Sequence, residues 1–238
     1  MKISSATSVG KVRPVNEDAF FVSPPDDSGS LLAIVADGMG GHNAGEVASS
    51  EAINVIKDVV LDNEHNAKEM LTQAINSANS TIYNMSLDKQ ALFGMGTTIT
   101  ACLIEKDKVT AAQVGDSRLY LIRDGMIIQI TKDHSLVEML IENGSITKED
   151  AKHHPQKNVI TRAIGTDKEV SADIYEFSIC EGDIILLCSD GLVNMVEDEK
   201  ILSVITRTKS FEETADKLVA EAENAGGSDN ITVILIKF

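Results

Sequence analysis

Residues 94–131 constrain the fold more than any other part of the chain. Three apolar, β-rich runs follow one another there, at 94–104, Lys108–Val114 and 117–131, with no helix-length segment between them. Consecutive strands joined by short turns pair antiparallel, because a parallel crossover needs a dozen or more connecting residues. Inside the last run, Asp124-Gly125 lies between SRLYLIR and MIIQI. Asp-Gly between two strand-like runs marks a tight hairpin whose central residues take positive φ. A doubly wound parallel sheet would need strict strand–helix alternation, which this block lacks.

The flanking segments add helices at both ends. Strands are expected at 19–22 and 31–36, about a polar turn at 24–30. Residues 46–61 have helical spacing, with Val47, Ala48, Ile53, Ile56 and Val60 recurring at threes and fours, and 67–87 read the same way. Short helices are expected at 134–143 and 147–153, strands at 172–179 and 183–188, helices at 198–205 and 211–224, and a last strand at 231–238. Strands, two helices, many strands, then helices and a strand give an α+β layered domain with mainly antiparallel sheets. The four prolines, Pro14, Pro24, Pro25 and Pro155, mark no long linker, so 1–238 reads as a single domain. A chain of 238 residues can bury a core without disulfide or metal staples.

Charge narrows the partners. Lys and Arg total 21 against 37 Asp and Glu, a formal net charge of −16. Such a surface repels phosphate backbones and carries no polybasic membrane anchor, so neither nucleic acid nor membrane is an expected partner. Apolar stretches such as 31–36 and Ile184–Cys188 fall far short of the ~20 residues of a membrane helix. The start, MKISSATSVGKVRP, lacks the apolar run of a signal peptide, and a cytoplasmic location is expected. Cys102, Cys180 and Cys188 lie in apolar strand-like runs and read as buried reduced thiols. None has an Arg six positions on, which argues against a cysteine-nucleophile phosphatase loop.

Acidic residues recur where strands stop. Residues 31–36 lead into Asp37-Gly38-Met39-Gly40-Gly41, 109–114 into Gly115-Asp116-Ser117, and Ile184–Cys188 into Ser189-Asp190-Gly191. Gly226-Gly227-Ser228-Asp229-Asn230 precedes the last strand, and Asn16-Glu17-Asp18 precedes an early one. Asp, Gly and Asn dominate turns for backbone reasons alone, and Asp124-Gly125 is such a case. Asp37-Gly38 differs, since a Gly-rich loop and a helix follow it. Strand ends meet along one edge of a sheet, so several of them ending in acid point to a site.

If Asp37, Asp190 and Asp229 converge, two carboxylates ~4 Å apart repel by about 4 kcal/mol at an effective dielectric near 20. They protonate, splay or take a cation. Oxygen-only ligands favour Mg²⁺ or Mn²⁺, and no Cys/His spacing supports zinc. Gly38 lets a backbone carbonyl approach an ion, and two ions sharing a carboxylate can share and acidify a water. Arg13, just before Glu17-Asp18, offers a fork for two oxygens of a phosphate monoester.

Six motifs then occur in order: Val12-Arg13-Pro14-Val15-Asn16-Glu17-Asp18, Val35-Ala36-Asp37-Gly38-Met39-Gly40-Gly41-His42, Gly94-Met95-Gly96-Thr97-Thr98, Val114-Gly115-Asp116-Ser117-Arg118, Ser189-Asp190-Gly191-Leu192 and Ser228-Asp229-Asn230-Ile231-Thr232. Together they resemble the metal-dependent protein phosphatase family, the type 2C serine/threonine phosphatases, in its compact bacterial form. The resemblance spans nearly the whole chain. It implies a four-layer α-β-β-α sandwich, with two central, mainly antiparallel sheets flanked by helices. It also implies hydrolysis of phosphoserine and phosphothreonine by a water bridging two ions, Mn²⁺ or Mg²⁺, with a third ion in addition.

Carried over by position, Asp37 resembles the carboxylate bridging two metals, with Gly38 giving a carbonyl. Asp190 and Asp229 resemble ligands of the first ion, and Glu17 a carboxylate on the second ion's side, with Asp18 its neighbour. Asp116 resembles the ligand of the third ion, shared with Asp190. Arg13 resembles the phosphate clamp, and residues 134–164 a variable flap that touches the protein substrate. Many eukaryotic relatives carry a His directly after the Asp-Gly as a proposed general acid. That position is Met39 here, which leaves His42 or a water on a cation for that role. His153-His154 reads as a solvated surface pair and His65 as solvent-facing. The implied partners are phosphorylated proteins and an opposing serine/threonine kinase, and a monomer is expected. Two alternatives stay open: a binding or regulatory member with weak catalysis, and a phosphomonoesterase acting on nucleotides or other small molecules.

Overall fold

Strands that are apolar on both faces must be covered on both faces. Residues 31–36, Ile184–Cys188 and the segment 231–236 are buried without interruption. The computed structural model describes residues 1–26, 29–40, 44–61 and 66–238. In chain order the strands and helices are β1 (Lys2–Ser8), β2 (Asp18–Val22), β3 (Leu31–Met39), α1 (Ala44–Leu61), α2 (Ala67–Asp88), β4 (Gly96–Thr97), β5 (Ile99–Glu105), β6 (Lys108–Val114), β7 (Arg118–Arg123), β8 (Met126–Gln129), α3 (Leu136–Glu142), α4 (Lys148–Lys152), β9 (Asp173–Ser178), β10 (Ile184–Cys188), α5 (Asp190–Val193), α6 (Asp198–Arg207), α7 (Thr214–Asn224) and β11 (Ile231–Lys237).

Two sheets result. One has the order β1-β11-β10-β7-β8; the other has β2-β3-β5-β6-β9, with β4 added to β3. Every described pairing between these strands is antiparallel. Successive side chains of a strand point to opposite faces, and β3 divides its residues accordingly. Leu32, Ile34 and Ala36 pack with Ile56 of α1 and Leu71 and Ile75 of α2. Leu31, Ala33 and Val35 pack across the gap with Leu119, Ile185, Leu187, Ile234 and Ile236 of the other sheet. That second sheet turns Leu186, Val233 and Leu235 outward onto Ile201 of α6 and Leu218 of α7. Three cores therefore separate four layers, helix, sheet, sheet and helix, as the motifs implied. Each fully buried Leu or Ile contributes roughly 1.5–3 kcal/mol.

Local chemistry explains several boundaries. Asn66 caps α2, accepting from the Lys68 N–H. Asp124 and Gly125 have φ of 51° and 73°, the positive pair that a two-residue hairpin requires. Asn79 of α2 accepts from the Gly165 N–H and donates to the carbonyl of Asp167, pinning the exit of the 134–164 segment. That segment is also held by bridges pairing Ser135 with Ile160 and Thr97 with Ile164.

Several expectations need correction. β3 does not end at Ala36 but runs through Met39, because β2 pairs with it as far as Asp37 and β4 continues opposite Gly38 and Met39. β1 was not expected: its Ser- and Thr-rich sequence reads as loop, yet it pairs with β11 along its whole length. The Phe211 end of the final helix is a 3₁₀ turn. Val47 is 37% exposed, off the buried stripe of α1. Cys102 and Cys188 are buried, whereas Cys180 is exposed in the turn after β9. Among the described residues, no helix is long and apolar enough to cross a membrane.

Candidate metal centre

Where the apolar row of β3 stops, the carboxylates start. Leu31, Ala33 and Val35 face the gap between the sheets, and alternation places Asp37 on the same face. Its backbone N–H donates to Thr98 Oγ1 (3.0 Å), and its carbonyl accepts from Thr98 N (2.9 Å) and Thr97 Oγ1 (3.0 Å). Asp18 sits opposite Asp37 in the β2–β3 register. Its Oδ2 accepts from Ser189 Oγ and Thr232 Oγ1, both at 2.7 Å, so one buried carboxylate ties the two sheets together.

The neighbouring residues come from both sheets. Glu17 accepts from the Gly45 N–H in the first turn of α1, where the helix favours negative charge. Gly38 is fixed by crowding: a Cβ there would stand 2.2 Å from the Gly45 carbonyl oxygen and 2.4 Å from that of Glu17. Asp116 follows β6, in a turn held by Gln113, whose Nε2 donates to the carbonyls of Gly115 (3.0 Å) and Ser117 (2.6 Å). Asp190 opens α5, and its Oδ2 accepts from Asn194 Nδ2 (2.8 Å). Asp229 precedes β11 and accepts from Arg13 Nη2 at 2.7 Å.

Arg13, Glu17, Asp37, Gly38, Asp116, Asp190 and Asp229 line one cavity of about 240 Å³. Asp18 lies behind it. The structure thus brings Arg13, Glu17, Asp37, Gly38, Asp116, Asp190 and Asp229 together around one cavity. His42 and His65 lie outside the described residues. His153 is exposed, and His154 is partly buried, its Nδ1 accepting from Gln156 N.

Three contributions were not read from the sequence. Asn158 and Ile160 line the cavity from the 134–164 segment. Asn230 accepts from Glu17 N (2.8 Å) and donates to the carbonyls of Val9 and Val15 (both 3.0 Å), which sets the path of the Arg13 loop. His134 accepts from Gly115 N on one ring nitrogen and faces Arg162 and Asp173 with the other. Only the Ser-Asp-Asn motif hinted at any of these; the rest are tertiary contacts without a local signature.

Crowded acids raise one another's pKa. Burial, reinforced by the charges of Asp18, Asp190, Asp116 and Asp229, pushes Asp37 well above the usual carboxylate range. Burial pushes Asp18 up to about 7, with its two hydroxyl donors pulling the other way. Asp116 is pushed up to about 8 by burial and by Asp190. Asp190 is raised by burial and by Asp229, while its hydrogen-bonding contact with Asp37 opposes the rise. Glu17 is raised by burial, against the pull of Gly45 N–H and Arg13.

This donor set fits a hard divalent cation. Asp18 Oδ1 and Asp190 Oδ1 are buried with no hydrogen-bond partner. Every ligand offered is oxygen, and no His or Cys lines the cavity among the described residues. The acids surround the cavity without closing on a point: among the described residues, no three Asp, Glu, His or Cys side chains stand as a finished coordination shell.

The family model for protein phosphatase 2C matches residues 8–234. The serine/threonine phosphatase Stp of Listeria welshimeri is 39% identical over 236 residues, covering 97% of this chain and 93% of that protein. The solved Streptococcus agalactiae serine/threonine phosphatase superposes with a TM-score of 0.91 at 37% identity, covering 99% and 98% of the two chains. The catalytic domain of the phosphatase PstP, solved in complex with two manganese ions, superposes with a TM-score of 0.88 at 36% identity, covering 98% and 96%.

Proposed function

The chain belongs to the protein phosphatase 2C family, and from that premise we propose how its acidic cavity removes phosphate from phosphoserine and phosphothreonine in proteins. The enzyme is a metal-dependent serine/threonine protein phosphatase. Asp37, the Gly38 carbonyl, Asp190, Asp229 and Glu17 would hold two Mn²⁺ or Mg²⁺ ions. Asp116 and Asp190 would hold a third. When bound, such cations supply Lewis acidity, acidifying water and offsetting charge on phosphoryl oxygens.

The chain's own residues do the rest. Asp18, anchored by Ser189 and Thr232, sets the spacing between the carboxylates of the two sheets. Arg13 uses Nη2 on Asp229 and has further N–H donors without a partner among the described residues, enough to hold two oxygens of a monoester. The Asp229 contact fixes that fork over the acids, so the phosphate is oriented with its ester oxygen toward the rim. Residues 134–164 put Asn158 and Ile160 on the rim, where the substrate polypeptide enters. A serine/threonine kinase is the opposing enzyme, and the catalyst acts as a cytoplasmic monomer.

The convergence of five acids and Arg13 on one cavity carries this reading. Purified protein is expected to release phosphate from a phosphothreonine peptide with Mn²⁺ and to stop with a chelator. Asp37→Asn and Asp190→Asn should each abolish turnover without loss of fold by circular dichroism. Full activity in either variant removes the mechanism. Faster release from a nucleotide than from the peptide would move the substrate class to small phosphomonoesters.

A further inference from the structure

Of the acids around the cavity, Asp116 is the least supported. Asp37 is aimed by a strand, Glu17 by the Gly45 N–H, Asp190 by Asn194 and Asp229 by Arg13. The Asp116 carboxylate takes its hydrogen bond from its own N–H, and from no side chain among the described residues. Its direction is therefore set by the peptide that carries it, which follows Gly115 at a φ of 104°. One residue holds both polar atoms of that glycine. His134 N donates to the Gly115 carbonyl (2.9 Å), and Gly115 N donates to His134 Nδ1 (3.1 Å). Gln113 supports the same carbonyl (3.0 Å) but leaves the N–H to the imidazole.

The His134 ring is buried, and its far side meets Asp173 Oδ2 (3.3 Å) at the start of β9, with Arg162 Nη1 alongside (3.1 Å). A peptide N–H can only donate, so Nδ1 carries no proton, and the neutral ring has its one proton on Nε2. Arg162 has donors only, so that proton points to Asp173. Arg162 itself donates to Asp173 Oδ1 and to the Ser171 carbonyl, both at 2.8 Å. Burial holds the ring below its ordinary pKa, against the pull of Asp173 and with the charge of Arg162. A proton added at Nδ1 would meet the Gly115 N–H head-on. The surroundings thus accept one tautomer in one charge state.

We propose that His134 is a positioning residue for the metal centre: its Nδ1 locks the Gly115–Asp116 peptide so that the Asp116 carboxylate stays turned into the cavity beside Asp190, and Asp173 holds the ring in the tautomer that does so. The inference rests on the phosphatase reading and adds a residue to it. His134 touches neither phosphate nor cation and acts through Asp116. Removing a partner that orients a metal-binding group costs roughly 10–100-fold in metal affinity or activity. The two ring nitrogens do different work, so they can be removed separately. Asn in place of His134 puts an amide oxygen where Nδ1 stands and keeps the acceptor for Gly115. Gln puts an amide N–H where Nε2 stands and keeps the donor for Asp173, with nothing to receive the Gly115 N–H.

The test compares the unaltered protein with His134→Asn and His134→Gln. Mn²⁺ binding is followed by calorimetry, and phosphate release from a phosphothreonine peptide is followed as Mn²⁺ is raised. For His134→Gln the weakest-bound ion should lose roughly tenfold or more in affinity, with the Mn²⁺ needed for half-maximal release rising to match. His134→Asn should restore both to within about threefold of the parent. A side chain that merely fills space predicts the same change in the two variants, because each keeps one contact of the ring, so equal Mn²⁺ binding in both overturns the inference. A second measurement needs no variant to fold: nitrogen NMR of the metal-free parent should show His134 neutral and protonated on Nε2 at about pH 7. A proton on Nδ1 there overturns the inference by itself. Release of phosphate by the parent with no split between the variants leaves the phosphatase reading standing alone. No release from the parent, with the split still present in calorimetry, upholds His134 as the positioning residue and removes the phosphatase reading.

Discussion

Asn230 makes three hydrogen bonds with one buried side chain, to Glu17 N and to the carbonyls of Val9 and Val15. No Asp or Leu of similar size offers both donor and acceptor in that fork. Asn230→Ala leaves three main-chain groups without partners, and the expected cost is about 2–3 kcal/mol in urea unfolding. Activity should fall further than stability predicts, because Arg13 and Glu17 ride on the released loop; unchanged kcat/KM in the folded fraction would show that the loop holds its course without Asn230. Asp124 is the matching control. It stands in a hairpin turn with φ of 51°, a conformation Asn adopts equally well. Asp124→Asn should leave turnover and Tm within error of the parent, and a loss of activity would mean that an acidic turn outside the cavity contributes to catalysis. The two residues look alike in sequence, each a polar residue beside a strand. What separates them is whether the neighbouring segment is a strand partner or a loop from the other end of the chain, and that is a tertiary fact.

Elements were legible where their pattern was strong. α1, α2 and the β7–β8 hairpin fall within a residue or two of their expected limits, because a helical stripe and an Asp-Gly turn each specify one conformation. β1 escaped notice because its alternation of Ser, Ala and Thr carries little hydrophobic contrast; pairing with β11 supplies what the sequence lacks. The acids of the site were legible as strand ends, yet Asp37 belongs inside a strand, since its pairing partner Asp18 is 19 positions away and has no local mark. Some junctions between elements rest on single ion pairs. Arg123 at the end of β7 grips Asp183 at the start of β10 through Nε (2.9 Å) and Nη2 (2.5 Å), and Cys180 N also donates to that carboxylate. Those contacts, Arg123 foremost, hold Asp183 below its ordinary pKa. A carboxyl depressed in the folded state stabilises above its unfolded pKa and loses that contribution as pH falls through the folded value. Asp183→Asn should therefore lower Tm by roughly 5 °C at pH 7 and by less at the lowest pH at which the fold persists, as the parent's own carboxyl takes up its proton. Equal losses at both pH values would show that the hydrogen bonds, and not the charge, make the junction.

At the scale of the whole molecule, the cavity lies where the two sheets meet, and each sheet supplies part of it. Glu17, Asp37 and Asp116 come from the β2-β3-β5-β6-β9 side, and Asp190 and Asp229 from the other. Buried like charges push those halves apart, and the Asp18 hydroxyl contacts, the Arg13–Asp229 pair, the Asn230–Glu17 hydrogen bond and the apolar core between the sheets oppose them. A cation bound by both sides would close the same gap, so metal affinity and global stability are linked. Binding confined to the native state adds about 2.7 kcal/mol at a hundred times Kd, which on a chain of this length is roughly a 5–10 °C rise in Tm. The rise should grow with the logarithm of Mn²⁺ concentration and vanish with chelator. Asp37→Asn removes one buried like charge, so without metal its Tm should match or exceed the parent's, while its Mn²⁺ response should be lost. Calorimetry with and without Mn²⁺ on both proteins checks this directly. A parent whose Tm ignores Mn²⁺, or a variant that responds as the parent does, would mean that the acids of the two sheets do not share an ion.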